Sequence, residues 1–310
     1  MKNLAVGVFH DDLLSRELGK KGTESDILMC NKKTDDEIFT FLSPVEDKLS
    51  PKSQIMSGID AAVVSVGSFT PEVGETILML DAFGISKGII VVPPYTDMTP
   101  IQKLLKGTSL ASFQIQERDP AGIVNHLHTI TPQRDLSSAP VVMIDHSFSV
   151  KGVGEVILGF VKKGILHKHD TLQLFPANKE IIVRSIQMQD ADFDEAEAGS
   201  RVGLAIKGAT AEEMKRGSIL CKTDSATLRS TITLSFTKNR FYSEEIRQGL
   251  FHVTAGMQTA PANITKINNG SLTVESEKAL VYMQDTRMLL MNLNAKKLHV
   301  MGHGTPLQSP

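Results

Sequence analysis

The hydrophobic pattern of the chain changes between residues 131 and 140, and this change constrains the fold more than any other feature. Before it, short apolar runs such as AAVVSVG and GIIVV alternate with helix-like segments such as PEVGETILMLDAFG. Buried Val and Ile runs that alternate with helices are typical of a mostly parallel sheet covered on both faces. We therefore predict an α/β domain over residues 1–132.

The helical period disappears beyond the linker-like segment TPQRDLSSAP. The rest of the chain reads as short strands separated by Gly, Pro, Asn and Asp, a spacing typical of antiparallel barrels. Its length fits two small barrels, which we predict at residues 138–223 and 226–305.

Composition limits the classes of function. The formal net charge is −2, so any contact with nucleic acid must be local, and DNA binding is not indicated. The two cysteines, Cys30 and Cys221, indicate neither a disulfide framework nor a zinc site. No apolar run approaches the roughly 18 residues needed to span a membrane, and the first run is too short for a signal peptide. We expect a monomeric cytoplasmic protein.

Glycines and charged residues recur at characteristic spacings in the first predicted barrel. The stretch FSVKGVGEVILGFVKKGILHKHDTLQLFP is followed by the turns AGSRVG and GATAEEMKRG. In this pattern the sequence resembles domain two of the elongation factor Tu and SelB family of translational GTPases. The helix-like LGKKGTESDI at 18–27 and the short segments FP, EI and RSIQ further resemble the archaeal SelB-like factor linked to pyrrolysine tRNA. Residues 227–303 resemble the family only in position and strand pattern.

The resemblance implies a pocket for the terminal adenosine of an aminoacyl-tRNA. Six positions match the family residues that line this pocket: Val150, Gly152 and Val156 against the base, Glu213 and Arg216 beside it, and Asp145 near the aminoacyl ester. Two alternatives remain open. The barrel needs its glycines whatever it binds, and Glu213 and Arg216 could simply form a surface ion pair worth about 0–1 kcal/mol.

The family's phosphate-binding motif is missing from the first domain. GTP binding requires G-x-x-x-x-G-K-[ST] after the first strand, where backbone amides, the Lys and a hydroxyl hold phosphate and Mg²⁺. The chain has VGVFHDDLLSREL instead, and Asp11 and Asp12 place negative charge where phosphate would bind. The Gly19-Lys20 pair is interpreted as the end of a helix with a basic last turn.

The other two nucleotide motifs are also degenerate. LSPVED stands in place of D-x-P-G-H, and Pro94-Tyr95-Thr96-Asp97 stands in place of N-K-x-D. Asp97 is a vestigial guanine-side residue or, in the interpretation we favour, the cap of a helix that begins at Thr99. His167-Lys168-His169-Asp170 invites a metal interpretation, which we reject because three well-placed ligands are usually needed.

The sequence therefore predicts a degenerate GTPase-like domain followed by two barrels, with no cofactor. The favoured function is binding of an aminoacyl-tRNA acceptor end, with possible ribosome contact and without GTP hydrolysis. One alternative is a working elongation factor that uses GTP and Mg²⁺ to deliver a special aminoacyl-tRNA. Another is a scaffold for protein interactions.

Overall fold

The alternating apolar runs of the first domain form one seven-stranded sheet in the computed structural model, which describes residues 1–308. The strands are β1 (Lys2–Phe9), β2 (Lys20–Glu24), β3 (Ile27–Lys33), β4 (Glu37–Pro44), β5 (Ala61–Ser65), β6 (Gly88–Val91) and β7 (Gln114–Gln116). The helices are α1 (Leu14–Leu18), α2 (Leu49–Met56), α3 (Pro71–Phe83), α4 (Thr99–Leu105) and α5 (Pro120–His128). The strand order is β2-β3-β4-β1-β5-β6-β7.

Five of these strands, β4, β1, β5, β6 and β7, are mutually parallel, so their carboxyl ends lie at one edge of the sheet. Each face of the sheet carries its own hydrophobic core. One core includes Phe9, Ile55 and Ile77 beneath α2 and α3, and the other includes Leu14 and Leu127 beneath α1 and α5. This topology confirms the predicted α/β class. A parallel sheet with helices on both faces buries its apolar strands on both sides, which is why the strands read as continuous apolar runs.

The start and stop signals of α3 act as the sequence predicts. The Thr70 hydroxyl accepts a hydrogen bond from the Val73 amide at 3.4 Å, and Pro71 occupies the first turn. Gly84 follows the helix in the left-handed conformation at φ 73°, which a residue with a side chain adopts at a cost.

The helix-like interpretation of residues 18–27 is wrong. Helix α1 ends at Leu18, and the following residues form β2, in which Lys20 pairs with Asn31 and Lys21 with Cys30. The Gly19 amide donates to the Ser15 carbonyl at 3.1 Å, but Gly19 itself is extended, so Lys20 belongs to a strand and not to a helix end. Pairing with the apolar start of β3 outweighs the weak local helical preference. Helix α2 was not predicted at all.

The second half of the chain is all β. The strands of the middle domain are β8 (Val141–Val150), β9 (Gly154–Lys163), β10 (Ile165–His167), β11 (Thr171–Phe175), β12 (Lys179–Met188), β13 (Ala191–Phe193), β14 (Glu195–Glu197), β15 (Arg201–Lys207) and β16 (Ile219–Cys221). Of these, β10 and β14 pair with each other in a separate two-stranded sheet. The strands of the last barrel are β17 (Thr227–Lys238), β18 (Gly249–Ala255), β19 (Gln258–Asn268), β20 (Ser271–Tyr282), β21 (Met288–Met291) and β22 (Val300–Pro306).

Both barrels are closed and antiparallel, as predicted. The middle barrel has the order β11-β16-β8-β9-β15-β12 and closes through pairing of β11 with β12, while β13 extends it beside β12. The last barrel has the order β17-β20-β19-β18-β21-β22 and closes through pairing of β17 with β22. Closure removes the free strand edges that would otherwise recruit other chains.

Polar contacts and a shared core join the three domains. The Arg134 guanidinium forms two bonds to the Asp60 carboxylate, at 2.6 and 2.8 Å, and ties the linker to the sheet. The Ser53 and Thr254 hydroxyls are 2.9 Å apart in a fully buried contact between α2 and the last barrel. The core beneath α2 and α3 continues into the barrels through Met143 and Leu289.

Within residues 1–308, none of the helices has the length and apolarity needed to cross a lipid bilayer.

Candidate functional site

The β8–β9 hairpin presents an apolar face to the outside of the middle barrel. Phe148 lies opposite Val156, and Val150 lies opposite Gly154. Phe148 is 41% exposed, whereas Ile157, which alternates with these residues, is completely buried in the barrel. The hairpin therefore turns one row of apolar side chains towards solvent, and the predicted positions Val150 and Val156 belong to that row.

The glycines at the hairpin tip have a conformational role. Gly152 has φ 85° and Gly154 has φ 102°, and no atom lies within 4 Å of the position where a Cβ would be. Space is thus not the constraint. The tight connection requires left-handed backbone, which glycine adopts without steric cost.

Two hydrogen bonds join the 3₁₀ turn Ala211–Glu213 to this hairpin. The Ala211 amide donates to Glu155 Oε2 at 2.8 Å, and the Ser147 hydroxyl donates to the Ala211 carbonyl at 2.9 Å. Glu213 Oε2 accepts a bond from the Thr210 amide at 3.0 Å. The structure thus brings together the two segments from which most of the predicted pocket residues come.

Glu213 and Arg216 do not pair with each other, so the alternative of a surface ion pair between them is wrong. Glu213 pairs with Lys179 at 2.6 Å, and this contact lowers the pKa of the Glu213 carboxyl. Arg216 reaches across to the first domain, where it contacts Asp26 at 2.6 Å and the Ser25 hydroxyl at 2.8 Å. Arg216 is therefore a contact between domains as well as a neighbour of the predicted pocket.

Asp145 lies behind the site and not on its surface. It is 2% exposed, and both of its carboxylate oxygens accept bonds of 3.2 Å from Arg201. Burial by itself would raise the pKa of Asp145, but the charge and bonds of Arg201 and the nearby His146 ring, whose Nδ1 lies 3.5 Å from Oδ1, outweigh burial and lower it. Asp145 thus orients Arg201, and a direct contact with an aminoacyl ester would require this ion pair to open.

A polar cleft of about 460 Å³ lies between the β2–β3 hairpin and the middle barrel. Lys20, Lys21 and Lys33 line it from the first domain, and Arg201, Asp190 and Leu158 line it from the barrel. None of the six predicted pocket positions is among the residues that line it. Among residues 1–308, Lys20 and Lys33 have no carboxylate within ion-pair distance, whereas Lys21 pairs with Glu24. The cleft is therefore locally cationic in a chain whose net charge is −2.

Sequence reasoning missed these basic residues because it interpreted residues 18–27 as helix. The available signal was the pattern KKGTE followed by ILMCNKK, two short runs that a hairpin would pair. Arg201 carried no signal of its own, since its role depends on Asp145, which lies 56 positions earlier.

At the carboxyl edge of the sheet, Asp11 takes the place that a phosphate would need. Its Oδ1 accepts bonds from the Leu13 amide at 3.2 Å and the Leu14 amide at 3.0 Å. Its Oδ2 accepts a bond from Arg118 at 2.7 Å, and Arg118 also grips Glu17 with two bonds of 2.9 Å. Burial raises the pKa of Asp11, but Arg118 and the amides outweigh burial and lower it.

The remaining space at this edge is acidic. A pocket of about 260 Å³ is lined by Asp11, Asp12 and Asp47 together with His10. Lys52 lies nearby but is buried and paired with Asp47. With no free lysine, no hydroxyl in the family position and the first amides bonded to Asp11, these residues do not fit a nucleoside triphosphate with Mg²⁺.

Asp97 lies one position before Met98, the N-cap residue of helix α4, and contacts the first residue of that helix. Its Oδ1 accepts a bond from the Thr99 amide at 2.9 Å, and this bond lowers the pKa of the carboxyl.

Asp170 accepts a bond from the His167 amide at 2.9 Å, which makes HKHD an ordinary strand-connecting turn. Over residues 1–308, nowhere do three His, Cys, Asp or Glu side chains converge as metal ligands.

Comparisons with known proteins agree with this architecture. The family model of elongation factor Tu domain 2 matches residues 154–221. An uncharacterized protein of Methanocaldococcus jannaschii is 35% identical over 308 residues, which cover 98% of this chain and 99% of that protein. The selenocysteine-specific elongation factor of the same organism is 29% identical over 233 residues, which cover 66% of this chain. The match takes in 49% of that factor, so this chain corresponds to about half of it.

Solved structures show the same fold. The structure of translation elongation factor SelB from Methanococcus maripaludis, in complex with the GTP analogue GppNHp, superimposes with a TM-score of 0.86 at 24% identity. The superposition covers 99% of this chain and 79% of that one. The bacterial selenocysteine-specific elongation factor EF-Sec gives a TM-score of 0.82 at 17% identity, covering 100% and 59% of the two chains.

A parallel α/β domain followed by two closed barrels, the first of them of the elongation factor Tu type, defines the class of translation factors built like elongation factor Tu. Its middle barrel belongs to the elongation factor Tu domain 2 family, and the chain as a whole is SelB-like in sequence and in fold.

Proposed function

We propose that this chain binds the acceptor end of an aminoacyl-tRNA in the cleft between the β2–β3 hairpin and the middle barrel, without hydrolysing GTP. The cleft itself is the observation that carries the proposal. It joins unpaired lysines at 20 and 33 to Leu158 of β9, which lies two positions beyond Val156 on the outward face of the β8–β9 hairpin. Lysines suit the phosphates of an RNA end, and an apolar face suits an unstacked base.

Loss of GTP hydrolysis is the second half of the proposal. The Asp11 carboxylate already bonds the amides of Leu13 and Leu14, and the neighbouring pocket carries further carboxylates. Phosphoryl transfer depends almost entirely on positioning and on charge stabilisation by a lysine and Mg²⁺. The groups that would supply both are missing from the sequence, so tRNA binding in this chain would not be timed by nucleotide hydrolysis.

Reversing the charge of two cleft lysines tests where tRNA binds. We expect Lys20→Glu combined with Lys33→Glu to weaken binding of total aminoacylated tRNA about tenfold or more at 0.15 M salt. The salt dependence of log K should also become shallower, by about one unit for each lysine lost. Filter binding over a salt series measures both quantities.

The matched control is Lys296→Glu combined with Lys297→Glu, which reverses two exposed lysines of the last barrel. Equal weakening by the control would show a nonspecific charge effect. If the cleft variant binds tRNA as tightly as the wild type does, tRNA does not bind in the cleft.

A mutant cycle separates the two roles open to Arg216. We expect Arg216→Ala to weaken tRNA binding severalfold, because its bonds to Asp26 and Ser25 hold the barrel against the β2–β3 turn and so set the width of the cleft. Asp26→Ala should then weaken binding by a similar factor, and the double variant should be little worse than either one, because contacting residues are not additive. Titration of labelled tRNA against the four proteins gives the cycle.

Other outcomes of this cycle are equally informative. If Asp26→Ala has no effect while Arg216→Ala does, Arg216 contacts the RNA directly. If neither change matters, and Glu213→Ala is also silent, the pocket beside the 3₁₀ turn is not used.

A further inference from the structure

Four loops at the carboxyl edge of the sheet each expose a large apolar side chain. Val45 follows β4, Leu13 lies beyond β1, Phe69 beyond β5 and Tyr95 beyond β6. Val45 is 44% exposed, Leu13 64%, Phe69 46%, and Tyr95 is fully exposed. Scattered apolar residues are normal on a protein surface, but contiguous ones indicate an interaction site.

The sheet topology brings these four loops to one edge of the sheet. Strands β4, β1, β5 and β6 are adjacent and parallel in that order. Adjacent strands lie about 4.8 Å apart, so the four loops begin along a line of about 15 Å. Tyr95 is also held in left-handed backbone, at φ 63°, a conformation that is unfavourable for a residue with a side chain. The turn thus has an unfavourable backbone conformation and leaves the Tyr95 ring in solvent.

The same edge is strongly acidic. Its loops, residues 10–13, 45–48, 66–72, 92–98 and 117–119, contain eight carboxylates and two cations. Both cations are paired, Lys48 with Glu46 at 2.5 Å and Arg118 with Asp11 and Glu17. An acidic surface of this kind repels RNA and attracts basic polypeptide.

We propose that this edge is a docking surface for a basic segment of another protein, one that carries apolar side chains between its lysines or arginines. The apolar side chains would pack on Leu13, Phe69 and Tyr95, and the basic ones would pair with the surrounding carboxylates. Buried aromatic anchors within a polar rim are the usual source of affinity in protein interfaces. The edge that in a GTPase would hold nucleotide here holds protein, on a surface distinct from the cleft proposed for tRNA.

Photo-crosslinking identifies the occupant. Benzoylphenylalanine is placed at position 95 or 69 of the full chain, and at position 250 as control, since Leu250 is also an exposed apolar residue but lies on the last barrel. The purified proteins are irradiated in an extract of the source cells, with and without RNase, and the crosslinked peptides are identified by mass spectrometry. We expect positions 95 and 69 to crosslink to one basic segment, insensitive to RNase, that position 250 does not reach.

Three results would overturn the proposal: crosslinks only to RNA, crosslinks only to a second copy of this chain, or the same products from all three positions.

Affinity for the identified segment, made as a peptide, completes the test. Tyr95→Ala with Phe69→Ala should weaken its binding at least tenfold, and so should Asp12→Lys with Glu117→Lys, whose carboxylates are exposed. Leu250→Ala should change nothing, and tRNA binding should be the same in all these variants. Unchanged peptide affinity in both double variants would place the segment elsewhere on the protein.

Discussion

Arg201→Met is expected to lower the free energy of unfolding by about 3–5 kcal/mol, the typical cost of removing one partner of a buried ion pair. The Asp145 side chain is completely buried, so loss of the guanidinium leaves a carboxylate without compensation. Urea unfolding at pH 7 measures the change. The same variant should weaken tRNA binding, because Arg201 lines the cationic cleft.

The double variant Arg201→Met with Asp145→Asn is the control. It replaces the charged pair by neutral groups and should recover most of the lost stability, whereas its tRNA binding should stay weak. Recovery of both properties would show that Arg201 acts only through folding. A loss of stability below about 1 kcal/mol would contradict the account of Asp145 as a buried, charge-compensated group.

The stability difference should depend on pH in one direction. The pKa of Asp145 is depressed in the folded wild type, so its stabilising contribution is present above the unfolded value of about 4 and is lost as pH falls through the folded pKa. In Arg201→Met, burial without the guanidinium raises the pKa of Asp145, and protonation then relieves the penalty. The gap between the two proteins should therefore be widest near pH 7 and should narrow as pH falls towards 4 and below.

Fluorescent GTP with Mg²⁺ is expected to show no saturable binding to the wild-type chain up to about 1 mM. The lysine, hydroxyl and asparagine contacts that are missing are each worth roughly 1.5–3 kcal/mol, and a loss of even ~5 kcal/mol weakens binding more than a thousandfold. The carboxylates of the 260 Å³ pocket add repulsion. Fluorescence anisotropy, with excess unlabelled GTP as competitor, measures the affinity.

Asp11→Ala tests which of these causes dominates. It frees the Leu13 and Leu14 amides, yet we expect it not to restore binding, because the phosphate lysine and the Mg²⁺ hydroxyl remain missing. Restored binding in this variant would identify Asp11 as the main obstacle. Saturable micromolar binding by the wild type would instead favour the alternative function, a working GTP-dependent elongation factor.

Much of the fold could be predicted because its signals are local. Thr70, Pro71 and Gly84 mark the ends of α3 within a few residues, and the backbone satisfies each of them in the expected way. Alternation of apolar and polar residues likewise identified the barrels. The helix prediction for residues 18–27 was wrong because their partner strand, β3, lies further along the chain. The helical preference of so short a segment is also weak.

The candidate site was predictable only as a set of segments. The spacing of glycines and charges located the β8–β9 hairpin and the 3₁₀ turn, and the structure brings these together through Glu155. Nothing in the sequence indicates that Glu213 forms an ion pair with Lys179 or that Arg216 forms one with Asp26. Along the sequence, many lysines could pair with a glutamate and many carboxylates with an arginine.

By itself, the sequence determined the fold class and the missing nucleotide motifs, because strand period, turn glycines and phosphate loops are all written in contiguous residues. Only the tertiary structure decided which charges meet. Asp145 and Arg201 are 56 positions apart, and Arg216 and Asp26 are 190 apart. Electrostatic interaction depends on distance and burial in the folded state. The first pair acquires both when the middle barrel closes, and the second when that barrel packs against the first domain.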